Sequence, residues 1–121
     1  MSESQHLLAV GRDTVASSRW MEVCEGWTLL AQGDLHVMLE RMPASTREVR
    51  HWHAATRQFY FVLRGQASVV VGDDVVFLKA EHGIEIPPGV VHQMRARGER
   101  PLEFLVISTQ PPRGDRVDLA D

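Results

Sequence analysis

From Arg19 onward the chain alternates short apolar segments with turn residues and never sustains a helical period. That pattern predicts an all-β domain. Strands are expected over 20–23, 27–31, 35–42, 48–53, 58–64, 67–71, 75–78, 84–87, 91–97 and 102–108, with few and short helices. Gly33-Asp34, Gly65-Gln66, Gly72-Asp73-Asp74, Gly83 and Gly98 fall between them, where the chain has to reverse, and Gly72-Asp73-Asp74 reads as a hairpin. Strands this short and this evenly spaced point to a barrel or a two-sheet jelly roll, either of which encloses a pocket. Residues 1–18 read as an N-terminal arm, 19–109 as the barrel, and the proline- and charge-rich 110–121 as a tail over the surface.

The segment 58–64 is unusual in being apolar on both faces. Gln58, Tyr60 and Val62 share one side, and Phe59, Phe61 and Leu63 the other. Such a strand needs cover on both sides, so the outer face calls for the N-terminal arm, a second subunit or the other layer of a sandwich.

Composition narrows the function more by exclusion. The 121 residues suffice for one domain, and 44% hydrophobic with 24% charged residues is ordinary for a globular protein. A formal charge of −3 gives no reason to seek nucleic acid or an anionic membrane. The N-terminus lacks the basic start and apolar run of a signal peptide, and no stretch approaches the roughly 20 apolar residues of a membrane span. The single cysteine, Cys24, forms no internal disulfide and no cysteine cluster. A cytoplasmic protein with a small-molecule partner is expected. The Arg113-Gly114-Asp115 tripeptide resembles an adhesion sequence, which without other signs of export reads as chance.

The chemistry sits in RHWHAATRQFYFVLRG, residues 50–65. On a strand, His51 and His53 project to one side and Trp52 to the other. Alone, H-x-H reads more readily as two solvent-facing imidazoles beside Arg50. Further on, EIPPGVVHQMRA makes a rigid Pro87-Pro88-Gly89 turn, after which His92, Met94 and Ala96 point one way and Gln93, Arg95 and Arg97 the other. The charged side belongs outside, which turns His92 inward. Several neutral imidazoles meeting inside a barrel are most simply explained by a metal ion.

These residues together resemble the cupin superfamily, in its small single-domain form. Its first motif, G-x5-H-x-H-x3,4-E-x6-G, is matched by His51, His53, Gln58 and Gly65, and its second, G-x5-P-x-G-x2-H-x3-N, by Pro87, Gly89 and His92. Ser45, Glu81 and Ala96 stand where the motifs have glycine, glycine and asparagine. The resemblance implies a cupin-type double-stranded β-helix, a jelly-roll barrel that is commonly a homodimer. It also implies one divalent metal ion (iron, manganese, nickel, copper or zinc) held by His51, His53, His92 and the residue at position 58.

Position 58 departs from the motif in carrying an amide for a carboxylate. Three histidines are a sufficient ligand set for zinc and a plausible one for iron, manganese, nickel or copper. Gln58 then acts either as a neutral fourth ligand or as a group orienting water or substrate. Losing the carboxylate leaves the ion's charge less compensated and its Lewis acidity higher. Tyr60, Val62, Met94 and Phe104, with Val106, are the expected pocket lining. The expected function is a metal-dependent enzyme on a small organic molecule, dioxygenase-like in preference to an isomerase because a base is hard to find: only Glu40 and Glu103 are candidates. The alternatives are a non-catalytic module for a sugar or small acid, or a metal-free structural barrel.

Overall fold

The computed structural model describes residues 7–120 and is built from strands in two antiparallel sheets. In chain order they are β1 (Ser17–Trp20), β2 (Cys24–Ala31), β3 (His36–Met42), β4 (His51–His53), β5 (Gln58–Arg64), β6 (Gln66–Val71), β7 (Asp74–Leu78), β8 (Gly83–Ile86), β9 (His92–Arg97), β10 (Leu102–Ser108) and β11 (Arg116–Asp118). One sheet has the order β1-β2-β3-β10-β5-β8 and the other β11-β4-β9-β6-β7. This is the expected all-β jelly roll. Among the described residues no helix is long and apolar enough to cross a membrane.

Inward alternate positions of both sheets fill the space between them, as in any sandwich whose strands alternate core and solvent. Met42, Val62, Val69, Met94, Leu102 and Phe104 are fully buried there. On β5 the alternation expected from sequence holds: Gln58, Tyr60 and Val62 are buried, whereas Phe59 and Leu63 are exposed. Gly65 closes the β5–β6 turn at φ 84°, and a Cβ there would run into the Pro101 carbonyl oxygen.

Three local expectations need correction. The first strand is β1, Ser17–Trp20, not 20–23; Met21 and Glu22 form a turn at φ 52° and 66° that folds β1 onto β2. The strand thus begins inside the segment read as an arm. At the other end, the chain read as a surface tail supplies β11, which pairs with β4.

The third concerns the strand expected over 48–53. Only His51–His53 is strand, preceded by an isolated bridge from Arg47 to Arg95. Arg47 lies opposite Arg95 and His51 opposite His92, so four steps on one side are matched by three on the other. That extra residue is a bulge, and a one-residue slip reverses which side chains face in. Glu48, which simple alternation from His51 turns outward, is consequently buried. Gln93, also expected outside, is buried with its side-chain amide donating to the Glu48 carbonyl at 2.9 Å.

Candidate metal centre

β4 and β9 are neighbours, and their register sets His51 directly opposite His92. His53, two residues along β4, faces the same way. The three rings come together with centroids 4.3 to 5.8 Å apart, and one nitrogen from each lies within 4.8 Å of the others. All three side chains are buried.

The other ring nitrogen of each histidine is already used. Nδ1 of His51 donates to the Val49 carbonyl at 2.8 Å and Nδ1 of His92 to the Val90 carbonyl at 2.9 Å. Nδ1 of His53 meets Asp115 Oδ1 at 3.0 Å. A carbonyl or carboxylate oxygen only accepts, so the proton sits on Nδ1 and Nε2 keeps its lone pair. Nε2 of His53 and of His92 is buried with no hydrogen-bond partner. Leaving such a group unpaired costs about 1–3 kcal/mol, a cost that a cation removes.

Electrostatics agree with that tautomer. Burial, reinforced by the fields of His92 and Arg116, lowers the His51 pKa to about 3, and burial lowers that of His92 to about 4. Near neutral pH both are uncharged donors, the form that binds metal. The residues present therefore fit a divalent ion, with His51, His53 and His92 able to hold it.

Gln58, the first residue of β5, lines the same cavity as His51 and His53. Its Nε2 donates to Ser108 Oγ at 3.1 Å, across the β5–β10 pairing, and its Oε1 lies 3.4 Å from the Tyr60 hydroxyl. The amide is thus oriented with its nitrogen engaged and its oxygen left for a hydroxyl or a cation. Tyr60 and Val106 also line this cavity of about 100 Å³. Val62, Met94 and Phe104 do not; they belong to the contiguous apolar core.

Two carboxyl groups, Glu48 and Glu40, share the cavity with His51 and His53. Glu48 accepts a hydrogen bond from the Met94 backbone N–H at 2.9 Å. Burial raises its pKa to about 7, and burial together with the nearby Glu48 charge raises that of Glu40 to about 8. Glu103, the other acid considered from sequence, lies elsewhere and pairs with Arg12 at 2.9 Å and with Arg41. Glu48 escaped sequence reading because the bulge inverts its facing.

Asp115 was missed for a different reason. It accepts four hydrogen bonds, from His53 Nδ1, the Ala55 and Thr56 backbone N–H groups and the Thr56 hydroxyl. Burial alone pushes its pKa up, but these bonds outweigh it and bring it down to about 2. The same tail carries Arg116 onto β11 opposite His53, so both side chains lie on one face of the sheet. The alternation of Arg116, Val117 and Asp118 was the only signal available for this strand.

The cupin domain family matches residues 38–108, from β3 to the end of β10. The chain belongs to this family. Among curated relatives, this cupin is 32% identical over 68 residues to the xanthan biosynthesis protein XanB of Xanthomonas campestris. The match covers 55% of this chain but 14% of that protein, so the chain spans a small part of that relative's length. Solved cupins share the fold at lower identity. An RmlC-like cupin from Shewanella frigidimarina superposes with a TM-score of 0.79 at 14% identity, over 87% of this chain and 92% of that one. A cupin-superfamily sugar phosphate isomerase from Silicibacter pomeroyi gives 0.75 at 21% identity, over 87% and 77%.

Proposed function

We propose that this cupin is a metal-dependent enzyme that moves a proton on a small carbonyl- or hydroxyl-bearing molecule, in an isomerase- or lyase-type reaction. The observation that carries this reading is a buried carboxyl, Glu48, and a half-buried one, Glu40, in one cavity with His51 and His53. The base that sequence reading could not find is thereby supplied, which favours proton transfer over the dioxygenase-like chemistry expected from the histidines alone. The likeness to a sugar phosphate isomerase is in keeping with it.

A divalent ion held by His51, His53 and His92, with the Gln58 oxygen as the remaining protein donor, would polarise a substrate oxygen. The chain's own residues supply the rest. Glu48, with a pKa of about 7, takes up and returns a proton near neutral pH with little driving force lost. The Tyr60 hydroxyl donates to the Gln58 amide oxygen at 3.4 Å and lines the same cavity as Glu48, so it orients that oxygen beside the carboxyl. Glu40 adds a second proton-holding group in the same space.

The test is deuterium exchange. Protein reconstituted with manganese, nickel, zinc or ferrous iron is incubated in D2O with small hydroxy-carbonyl compounds, and loss of the C–H signal beside the carbonyl is followed by proton NMR. Exchange that Glu48→Gln abolishes with metal content unchanged supports the reading. Oxygen uptake by the ferrous protein without exchange replaces it with the dioxygenase reading, and saturable binding with neither replaces it with the binding module.

A further inference from the structure

A second part of the cavity wall is built from residues the proton-transfer reading does not use. Trp20, from the end of β1, and His36, from the start of β3, line it together with Arg113 and Arg116 from the C-terminal segment. The Trp20 indole nitrogen and His36 Nδ1 are both buried and unpartnered. An indole N–H can only donate. It therefore waits for an acceptor that the described residues do not provide.

Charge says what kind of acceptor. Arg116 donates through Nε to Asp118 Oδ1 at 2.6 Å, which leaves its terminal nitrogens for another partner. Arg113 has no carboxylate partner among the described residues, and the nearby Asp115 is committed to His53, Ala55 and Thr56. Asp118 engages Arg116 only through Nε, and the oxygens of Asp115 are taken up by His53, Ala55 and Thr56, so both guanidinium groups keep N–H donors to offer a ligand. A guanidinium fork matches a carboxylate in two parallel hydrogen bonds.

Depth and size then orient and limit the occupant. The imidazoles, Gln58 and Tyr60 are at most 4% exposed, whereas the Arg116 side chain is 34% exposed and Arg113 is open to solvent. The cationic groups thus sit at the mouth and the metal-ready nitrogens at the floor. A cavity of about 100 Å³ is well below the roughly 300 Å³ at which sites for drug-sized ligands begin. It suits a molecule of a few carbons, not a nucleotide-linked sugar.

We propose that Arg113 and Arg116, with the Trp20 indole N–H and His36, form a carboxylate-recognising mouth that admits small oxo or hydroxy acids and presents their carbonyl or hydroxyl end to the three histidines. The orientation of the ligand rests on the reading of the histidine site given above, but recognition of the carboxylate does not.

Binding to the metal-free protein separates the two. Pyruvate is titrated into the full chain stripped of metal, and the indole N–H resonance of Trp20, assigned with Trp20→Phe, is followed by NMR. Inorganic phosphate and the neutral analogue pyruvamide are titrated in parallel. The expected result is a saturable shift of that resonance with pyruvate, at least tenfold weaker binding of pyruvamide, and at least a tenfold loss of pyruvate affinity in both Arg113→Gln and Arg116→Gln. No saturable shift, equal binding of pyruvamide, or indifference to both arginine changes overturns the proposal. Tighter binding of phosphate than of pyruvate also overturns it, by assigning the mouth to phosphate esters. Pyruvate binding with no proton exchange in the metal-loaded protein overturns the proton-transfer reading and leaves the carboxylate mouth standing.

Discussion

Asp115 and His53 lie 62 positions apart in the chain and meet at 3.0 Å, carboxylate oxygen to ring Nδ1. The contact fixes which nitrogen of His53 carries the proton and directs Nε2 toward the other two imidazoles. Outer partners of this kind typically change metal affinity by about 10–100-fold when removed. Asp115→Asn is therefore expected to weaken zinc binding within that range, measured by competition with a chelating dye, while far-UV circular dichroism stays unchanged. Unaltered zinc affinity in the folded variant would separate this contact from the metal site.

Gln58 offers an amide oxygen where the family motif has a carboxylate. Gln58→Glu restores the charge, and Ser108 can turn its hydroxyl to donate where it now accepts. Tighter binding of zinc or manganese at neutral pH is expected, read by the same competition. If affinity does not move, position 58 lies outside the reach of the ion.

Ser45 and Glu81 stand where the two family motifs have glycine, and both adopt left-handed backbone, at φ 67° and 69°. A side chain there carries strain that glycine does not. Ser45→Gly and Glu81→Gly should each stabilise the fold by about 1 kcal/mol, partly offset by the greater freedom of glycine when unfolded. A higher urea midpoint at constant slope is the readout, and a lower midpoint for both would refute the strain argument.

The buried acids and imidazoles give the metal-stripped protein a distinctive pH profile. Glu40 and Glu48, raised from 4.5 to about 8 and about 7, hold protons more tightly when folded, so their contribution to stability falls as pH climbs from 4.5 toward 8. His51 and His92, lowered from 6.5 to about 3 and about 4, are protonated first in the unfolded chain, so theirs falls as pH drops below 6.5. Between 4.5 and 6.5 the two tendencies oppose each other. Above 6.5 the acids act alone; below 4.5 the histidines are joined by Asp115, lowered from 3.8 to about 2. Urea midpoints should show a plateau over pH 4.5–6.5 with a decline on either side. The Glu40→Gln, Glu48→Gln double variant should lose the alkaline decline, and an unchanged alkaline limb would remove these two groups as its cause.

The outer face of the larger sheet is apolar and partly open to solvent around Phe59. Ile107 pairs with Val37 and Phe59, and Leu105 with Leu39 and Phe61, which makes the patch continuous across β3, β10 and β5. Among the described residues of the N-terminal segment, Arg12 lies over the Trp27 ring at one side of it, at 4.9 Å. Phe59 remains 40% exposed. We propose that a second copy of the chain covers this face, in keeping with the homodimer expected from the family resemblance. Light scattering should give twice 13.6 kDa and fall to the single value in Phe59→Glu; a monomeric parent protein would refute it.

Most of the barrel was legible because it depends on alternation within each strand. Gln58–Arg64 and Leu102–Ser108 begin and end where their apolar patterns do. The same two-residue period put His51 and His53 on one side of their strand and turned His92 inward, and the motif match joined the three. Tyr60 was legible as a cavity residue, whereas Val62, Met94 and Phe104 share its parity but sit deeper, where side chains fill the barrel solidly. Periodicity tells which side a residue faces and not how far along the barrel the cavity extends.

The sequence by itself determined the all-β class, the two motif-bearing segments and the three imidazoles, because short-range alternation and turn chemistry act locally and survive any tertiary arrangement. Only the tertiary structure decided what surrounds those imidazoles. Glu48 entered the cavity through a one-residue bulge between Arg47 and His51, and Asp115 and Arg116 arrived on a strand that exists because β4 had a free edge to pair with. Neither a register slip nor the choice of an edge leaves a mark in local periodicity. Both are settled by hydrogen bonds between segments far apart in the chain.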